Sequence, residues 1–233
     1  MMGRTPLVLL PGLLCDAALW QAQIDDLSDI AEITVADLGR DDQLGAMARG
    51  VLAVAPERFA LAGLSMGGYV AMEIVRQAPD RVTRLALLAT SARADSVDEK
   101  AKRQALIDLA RRGRFKGVTR RLLPQLIHPM RLTDRSLTDA VFAMAERIGQ
   151  MAFERQQRVA MNRPDSRRDL GLVHCPTMVL CGRQDARTPL ALSSEIAEKV
   201  RRSSLVVVED CGHLAPLERP RAVSDALRDW LGT

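Results

Sequence analysis

Aromatic side chains are scarce in this chain: two Trp, one Tyr and four Phe in 233 residues. So few rings leave little on which the bases of a single-stranded nucleic acid could stack, and a nucleic-acid partner is not expected. Long apolar runs are also missing. The longest, such as residues 85–89 and 206–208, fall far short of the roughly 18 residues of a membrane-spanning helix. Pro11 and Gly12 break the short apolar stretch over residues 6–15, and no small-residue cleavage site follows it. That argues against a signal peptide and makes the cytoplasm the expected location. Cysteine is limited to Cys15, Cys175, Cys181 and Cys211. They form neither a C-x-x-C pair nor a metal-ligand spacing, so buried thiols are expected and a disulfide framework or metal site is not. Lysine supplies only four of the 33 basic residues, which leaves the net charge of +4 to arginine.

What remains is an ordinary globular composition, 47% apolar and 27% charged, which excludes wholesale disorder. A chain of 233 residues fits one generous domain, or two small ones at most. There is no internal repeat or low-complexity tract. Short apolar runs without clear alternation fall at residues 7–10, 33–35, 59–62, 84–89, 177–181 and 205–208; each reads as a buried strand. Helical stretches lie between most of them, for example residues 66–78, ended by Pro79, and residues 190–200. Strands alternating with helices predict an α/β fold, a mostly parallel sheet of about six strands covered by helices on both faces.

The alternation fails between Ser91 and Cys175, 85 residues without a convincing strand. No ordinary connection is so long, so the segment must carry structure of its own. Residues 97–112, 115–123 and 137–161 read as amphipathic helices separated by Gly113, Pro124 and Pro129. The expectation is a helical cap over residues 96–169, inserted before the last two strands of a core formed by residues 1–95 and 170–233. The plainer alternative is a set of ordinary covering helices.

Gly63-Leu64-Ser65-Met66-Gly67 matches G-x-S-x-G, directly after one strand and directly before a helix, the context that motif requires. A tight strand-to-helix turn lifts the serine hydroxyl clear of the backbone, with glycines where side chains would collide. The hydroxyl needs a base to become a nucleophile, and the chain has only three histidines. His128, just before Pro129, and His174, two residues before Pro176, both precede Asp185 and so do not follow that acid in the required order. His213 lies just after the strand at 205–208, at the sheet edge where Ser65 emerges, and is the expected base. Asp185, just after the strand at 177–181, completes the order Ser, Asp, His and is the expected partner of the imidazole. Asp95, after the fourth strand, is a second candidate acid. An oxyanion needs two backbone N–H donors. Met66 offers one at the start of its helix, and Leu13, in the turn Pro11-Gly12-Leu13-Leu14, offers the other. Leu14 is a candidate substrate contact. This chemistry calls for no metal and no organic cofactor.

Together, Leu10-Pro11-Gly12-Leu13-Leu14, Gly63-Leu64-Ser65-Met66-Gly67-Gly68, Cys181-Gly182-Arg183-Gln184-Asp185 and Gly212-His213 resemble the four signatures of the α/β-hydrolase family, of the capped, single-domain esterase kind. That family includes carboxylesterases, a methyl esterase acting on pimeloyl carrier protein, carbon-carbon bond hydrolases and a lyase. The resemblance implies the fold and the triad, but it does not determine the reaction. Hydrolysis of a carboxylic ester or thioester through an acyl-enzyme is the expectation; the alternatives are a triad-dependent lyase or carbon-carbon bond hydrolase, or a slow ligand sensor. Three departures stand out. Pro11-Gly12 replaces the usual His-Gly, Asp37-Leu38-Gly39-Arg40-Asp41 replaces the usual Gly-His-Gly-x-Ser, and the short lead into the first strand implies six strands in place of eight.

Charge is distributed unevenly. Residues 100–168 hold 17 Lys and Arg against 6 Asp and Glu, 17 − 6 = +11, whereas the remainder holds 16 against 23, 16 − 23 = −7. One reading is a solvated helix surface. The other is that Arg111, Arg120, Arg121, Arg155 and Arg158 steer an anionic or carrier-bound acyl substrate towards Ser65. Salt separates the two, because the Debye length falls from about 30 Å at 0.01 M to about 10 Å at 0.1 M. With steering, kcat/KM for an anionic ester falls as salt rises while that for a neutral ester of equal size does not; equal salt responses leave the arginines as solvated surface.

Overall fold

The computed structural model describes residues 3–232. Its six strands, β1 (Thr5–Leu10), β2 (Ala31–Val35), β3 (Phe59–Leu64), β4 (Val82–Leu88), β5 (Thr177–Gly182) and β6 (Ser203–Val208), form one sheet in the order β2-β1-β3-β4-β5-β6. Every neighbouring pair is parallel. All six apolar runs read from the sequence are strands. The interior strands β3 and β5 are buried along their whole length, which is why their sequences show continuous apolar character without alternation.

The helices are α1 (Gln21–Leu27), α2 (Leu44–Val54), α3 (Met66–Gln77), α4 (Val97–Leu109), α5 (Leu123–Leu126), α6 (Arg135–Met161), α7 (Leu190–Lys199), α8 (Ala215–Glu218) and α9 (Pro220–Gly232). They cover both faces of the sheet. Successive side chains of a strand point to opposite sides, so Leu7 and Leu9 of β1 join one core with Trp20, Leu27, Leu227 and Trp230. Val8 and Leu10 join the other, with Val51, Val70, Ile74 and Ile196. No helix among the described residues is long and apolar enough to cross a membrane.

Between β4 and β5 the chain forms α4, α5 and α6. Ser96 opens α4 with a reciprocal capping box to Glu99, and a wider π turn continues it to Arg114. The helix expected over residues 115–123 is absent; that stretch is bends and turns until α5 begins at Leu123. Gly113 and Gly117 both take positive φ, 70° and 57°. Gly117 lies inside the expected helix, and a left-handed residue there interrupts a right-handed helix. α6 begins at Arg135, where Asp134 accepts from the Leu137 N–H at 3.2 Å, and breaks at Gly149, whose φ is 72°.

A buried ion cluster roots this insertion. Asp95, with its side chain only 1% exposed, accepts from Arg103 of α4 and from Arg163 just beyond α6, each at 2.5 Å. Arg103 also donates to Gln157 Oε1 at 2.8 Å, and the Arg163 guanidinium lies 4.1 Å over the Tyr69 ring of α3. Both carboxylate oxygens of Asp95 are engaged by cations, so it is not the acid that serves His213. Removing a single partner from a buried pair strands the other charges. Asp95→Ala is therefore expected to lower the unfolding free energy by about 3–5 kcal/mol in urea denaturation; a loss below about 1 kcal/mol would show that the cluster does not root the insertion.

Candidate active site

Ser65 sits between β3 and α3 with φ 55° and ψ −111°. A non-glycine residue in such a conformation costs of order 1–3 kcal/mol and persists only when its surroundings enforce it. Here they do. The Ser65 N–H donates to Leu88 O at 2.9 Å, and Thr90 Oγ1 donates to Ser65 O at 2.7 Å. The turn also closes too tightly for side chains: a Cβ on Gly63 would stand 2.4 Å from Gly67 O, and one on Gly67 would stand 2.3 Å from Leu10 O. The first turn of α3 is thereby pressed against the end of β1, beside the loop that holds Leu13.

Because β5 and β6 are neighbours, the loops at their C-terminal ends adjoin, and Asp185 and His213 meet there. His213 Nδ1 lies 2.8 Å from Asp185 Oδ2, and both side chains are almost wholly buried. The carboxylate is saturated. Thr188 Oγ1 donates to Oδ2 at 2.7 Å, and Oδ1 accepts from the N–H groups of Arg187 and Thr188, both at 2.8 Å. Burial pushes the Asp185 carboxyl up, but the imidazole charge, the hydrogen bond to it and the Thr188 donors outweigh burial and hold it below the usual carboxylate value. The histidine loop is pinned from the insertion, since the N–H groups of His213 and Leu214 both donate to Leu126 O, at 3.1 and 3.0 Å. Buried Glu218 accepts from Gly212 N at 3.0 Å and from His128 N at 2.6 Å. No hydrogen bond joins Ser65 Oγ to the imidazole in this arrangement; such contacts often tighten only when substrate is bound.

The other histidines are placed elsewhere. His128 is buried, with Nδ1 accepting from Met130 N at 3.2 Å, while His174 is exposed at the start of β5, the opposite sheet edge. Met66, the first residue of α3, has an N–H without an intrahelical acceptor. In the loop after β1, the Cys15 N–H donates to Gly12 O at 3.1 Å, closing a turn over Leu13 and Leu14, with Leu14 at φ 59°. The four free cysteines are buried apart from Cys175, which is half-buried, and burial pushes the Cys15 thiol up to about 12.

The basic residues of the insertion divide. Arg111 pairs with Glu154 at 2.9 Å, Arg158 reaches Glu154 and Asp42 at 3.5 Å, and Arg155 donates to Gly39 O at 3.1 Å. Arg120 and Arg121 are exposed and enter no ion pair among the described residues. Leu14 contributes its side chain to an apolar cluster with Ala110, Ala145 and Phe153, against which Leu13, Phe115 and Val118 pack; the Phe115 and Phe153 ring centres are 5.2 Å apart. Sequence reasoning missed Thr188, Thr90, Glu218 and Gln156. Only Thr188 left a signal, an Asp followed three residues later by Thr just ahead of Pro189 and a helix, the spacing of a side-chain turn.

A parallel sheet with a serine at a strained strand-to-helix turn after β3, and a hydrogen-bonded Asp–His pair at the same edge, has the architecture of an α/β-hydrolase. The chain belongs to that family: the model described as the alpha/beta hydrolase family matches residues 7–226. Among curated relatives, pimeloyl-[acyl-carrier protein] methyl ester esterase of Aliivibrio salmonicida is 26% identical over 236 residues, covering 89% of this chain and 84% of the relative. Among solved structures, a thermophilic esterase from Thermogutta terrifontis has a TM-score of 0.89 at 29% identity, over 98% of this chain and 89% of that one. An enol-lactonase from Burkholderia xenovorans has a TM-score of 0.84 at 20% identity, over 99% and 92%, and speaks for the fold alone.

The lowered Asp185 carboxyl has a consequence for stability. A carboxylate held below its unfolded value near 3.8 stabilises the fold above that pH, and the contribution is lost as pH falls through the folded value. The stability difference between the native chain and Asp185→Asn, followed by urea denaturation, is therefore expected to hold from pH 7 to about 5 and to shrink below about 4. A difference independent of pH down to 3 would contradict the shift.

Proposed function

We propose that this chain is a serine hydrolase that cleaves carboxylic esters or thioesters through an acyl-enzyme. Ser65 Oγ attacks the carbonyl carbon and its proton passes to His213, whose imidazolium Asp185 stabilises and orients. The negative oxygen of the tetrahedral intermediate accepts from the N–H groups of Leu13 and Met66. Collapse expels the alcohol or thiol, which takes the proton back from His213, and water repeats the sequence to release the acid. Residues 96–169 serve as a cap on a core formed by residues 1–95 and 170–233.

The single observation that carries this reading is the convergence, on one sheet edge, of a serine at φ 55° with an imidazole held 2.8 Å from a saturated carboxylate. The likeness to esterases along nearly the full chain supports it. The apolar cluster of Leu13, Leu14, Phe115, Val118 and Phe153 beside the proposed oxyanion donors favours an apolar acyl group. The relatives named as pimeloyl-[acyl-carrier protein] methyl ester esterases, together with the +11 charge of residues 100–168, favour an anionic or carrier-bound substrate. Of the five arginines singled out, Arg120 and Arg121 are then the two left to receive it, because Arg111, Arg155 and Arg158 are engaged within the protein.

Ser65→Ala is expected to reduce hydrolysis of an activated short-chain ester by roughly 10⁶ in kcat, and Asp185→Asn by about 10⁴. Mass spectrometry of the quenched reaction should find the acyl group on Ser65. Retention of activity by Ser65→Ala would end this reading; turnover that depends on Ser65 without an acyl adduct would favour a lyase or carbon-carbon bond hydrolase that uses the triad for proton transfer.

A further inference from the structure

We propose that Gln156, on α6, is a positioning residue that fixes the turn presenting the Leu13 N–H to the oxyanion. The inference rests on the reading of Leu13 and Met66 as oxyanion donors and adds a residue 142 positions from Leu14 in the chain. Gln156 is 1% exposed. Its Oε1 accepts from the Leu14 N–H at 3.0 Å, and its Nε2 donates to Leu38 O at 3.3 Å. One amide therefore bridges the loop after β1 and the loop after β2.

The peptide geometry explains why this matters. All the described peptides are trans, so the C=O and N–H of each unit point in opposite directions. Gly12 O is turned inward to accept from Cys15 N, so the Leu13 N–H of the same unit points out of the turn. The next unit, from Leu13 to Leu14, is held at both ends: its N–H by Gln156 and its C=O by a weak bond from Cys15 Sγ at 3.6 Å. Leu14 meanwhile stands at φ 59°, a conformation that a leucine leaves when nothing enforces it. Without the amide, the Leu14 N–H is a buried donor with no acceptor, and the turn relaxes by rotating the units that aim Leu13.

Glutamine suits both partners. Leu14 requires an acceptor and Leu38 a donor, and the amide of glutamine supplies the two from separate atoms at the length this site requires. Leucine supplies neither. Glutamate keeps the acceptor but as an anion opposes Leu38 O. Neighbouring contacts seat this part of α6 on the same loop: Arg155 donates to Gly39 O at 3.1 Å, and Gly39 lets Ala152 approach so closely that an added Cβ would lie 3.2 Å from it.

The test uses Gln156→Leu and Gln156→Glu in the full chain, with thermal melting to establish folding. Each is measured for kcat and KM on a neutral short-chain ester, and for inhibition by an alkyl boronic acid, which forms a tetrahedral adduct on the serine. Loss of one oxyanion donor costs about 10²–10³ in kcat, so a misaimed donor in Gln156→Leu is expected to cost at least about tenfold. KM should stay within about twofold, boronate binding should weaken in proportion to kcat, and Gln156→Glu, of the same size and keeping the acceptor, should lose less. Unchanged kcat in both folded variants, a loss confined to KM, or a kcat loss with boronate affinity intact would each overturn the proposal. Ser65→Ala in parallel keeps the two readings apart. If it retains activity, the hydrolase reading fails; if it is inactive while both Gln156 variants match the native chain, only the role of Gln156 fails.

Discussion

The left-handed backbone at Ser65 is the constraint from which the rest of the site follows. A serine at φ 55° is unfavourable by itself, and the chain holds it there through contacts outside the turn: Leu88 O and Thr90 Oγ1 from the neighbouring strand β4 and the loop beyond it. Closing the turn brings α3 against the end of β1, which places the helix start, with its free N–H groups and favourable partial charge, next to the loop over Leu13. One strained residue thus sets the position of the hydroxyl, of the Met66 N–H and of the surface on which the Leu13 turn rests.

The insertion between β4 and β5 grips the same site from above at several points. Leu126 O takes the N–H groups of His213 and Leu214, Glu218 ties Gly212 to His128, Gln156 takes Leu14, and Arg147 pairs with Asp16 at 2.6 Å. These bonds span the histidine loop on one side and the loop after β1 on the other. Loops at the end of a parallel sheet have little backbone pairing of their own, and in this chain much of their order is borrowed from helices that lie far away in sequence. A displacement of the insertion that breaks the bonds from Leu126 and Gln156 would therefore disturb both loops together.

What sequence could reveal divides along the range of the interaction. Strands announce themselves through local composition, and G-x-S-x-G with its flanking strand and helix is a local pattern; both were legible, as were Asp185 and His213 as candidates from the chain order Ser, Asp, His, while their contact depends on β5 and β6 lying side by side. The 115–123 stretch misled because its amphipathic spacing is compatible with a helix, while Gly117 takes a positive φ where the folded chain brings it against Ala145 of α6, a residue distant in sequence. Gln156 and Glu218 were illegible for the same reason. A glutamine on a long helix ordinarily faces water, and only the folded chain brings its amide beneath Leu14. The arginines gave a correct total charge but not its availability, since partners such as Glu154 and Asp42 are invisible until the helices are in place.

Asp95 and Asp185 show how environment assigns different work to the same side chain. Both are nearly inaccessible carboxylates in loops at the C-terminal edge of the sheet, and sequence alone offered each as the acid. Asp95 faces two guanidiniums, from Arg103 and Arg163, so two parts of the insertion meet on one carboxylate and its role is attachment. Asp185 faces a single imidazole, with its other lone pairs filled by neutral donors from Arg187 and Thr188. In the proposed mechanism the imidazole takes a proton from Ser65 and gives it up again, so the charge opposite Asp185 changes within each turnover while that opposite Asp95 does not. Neutral donors on the remaining lone pairs favour the ionised Asp185 without a permanent counter-ion, and in the proposed mechanism that carboxylate meets the charge that arrives when the histidine takes a proton.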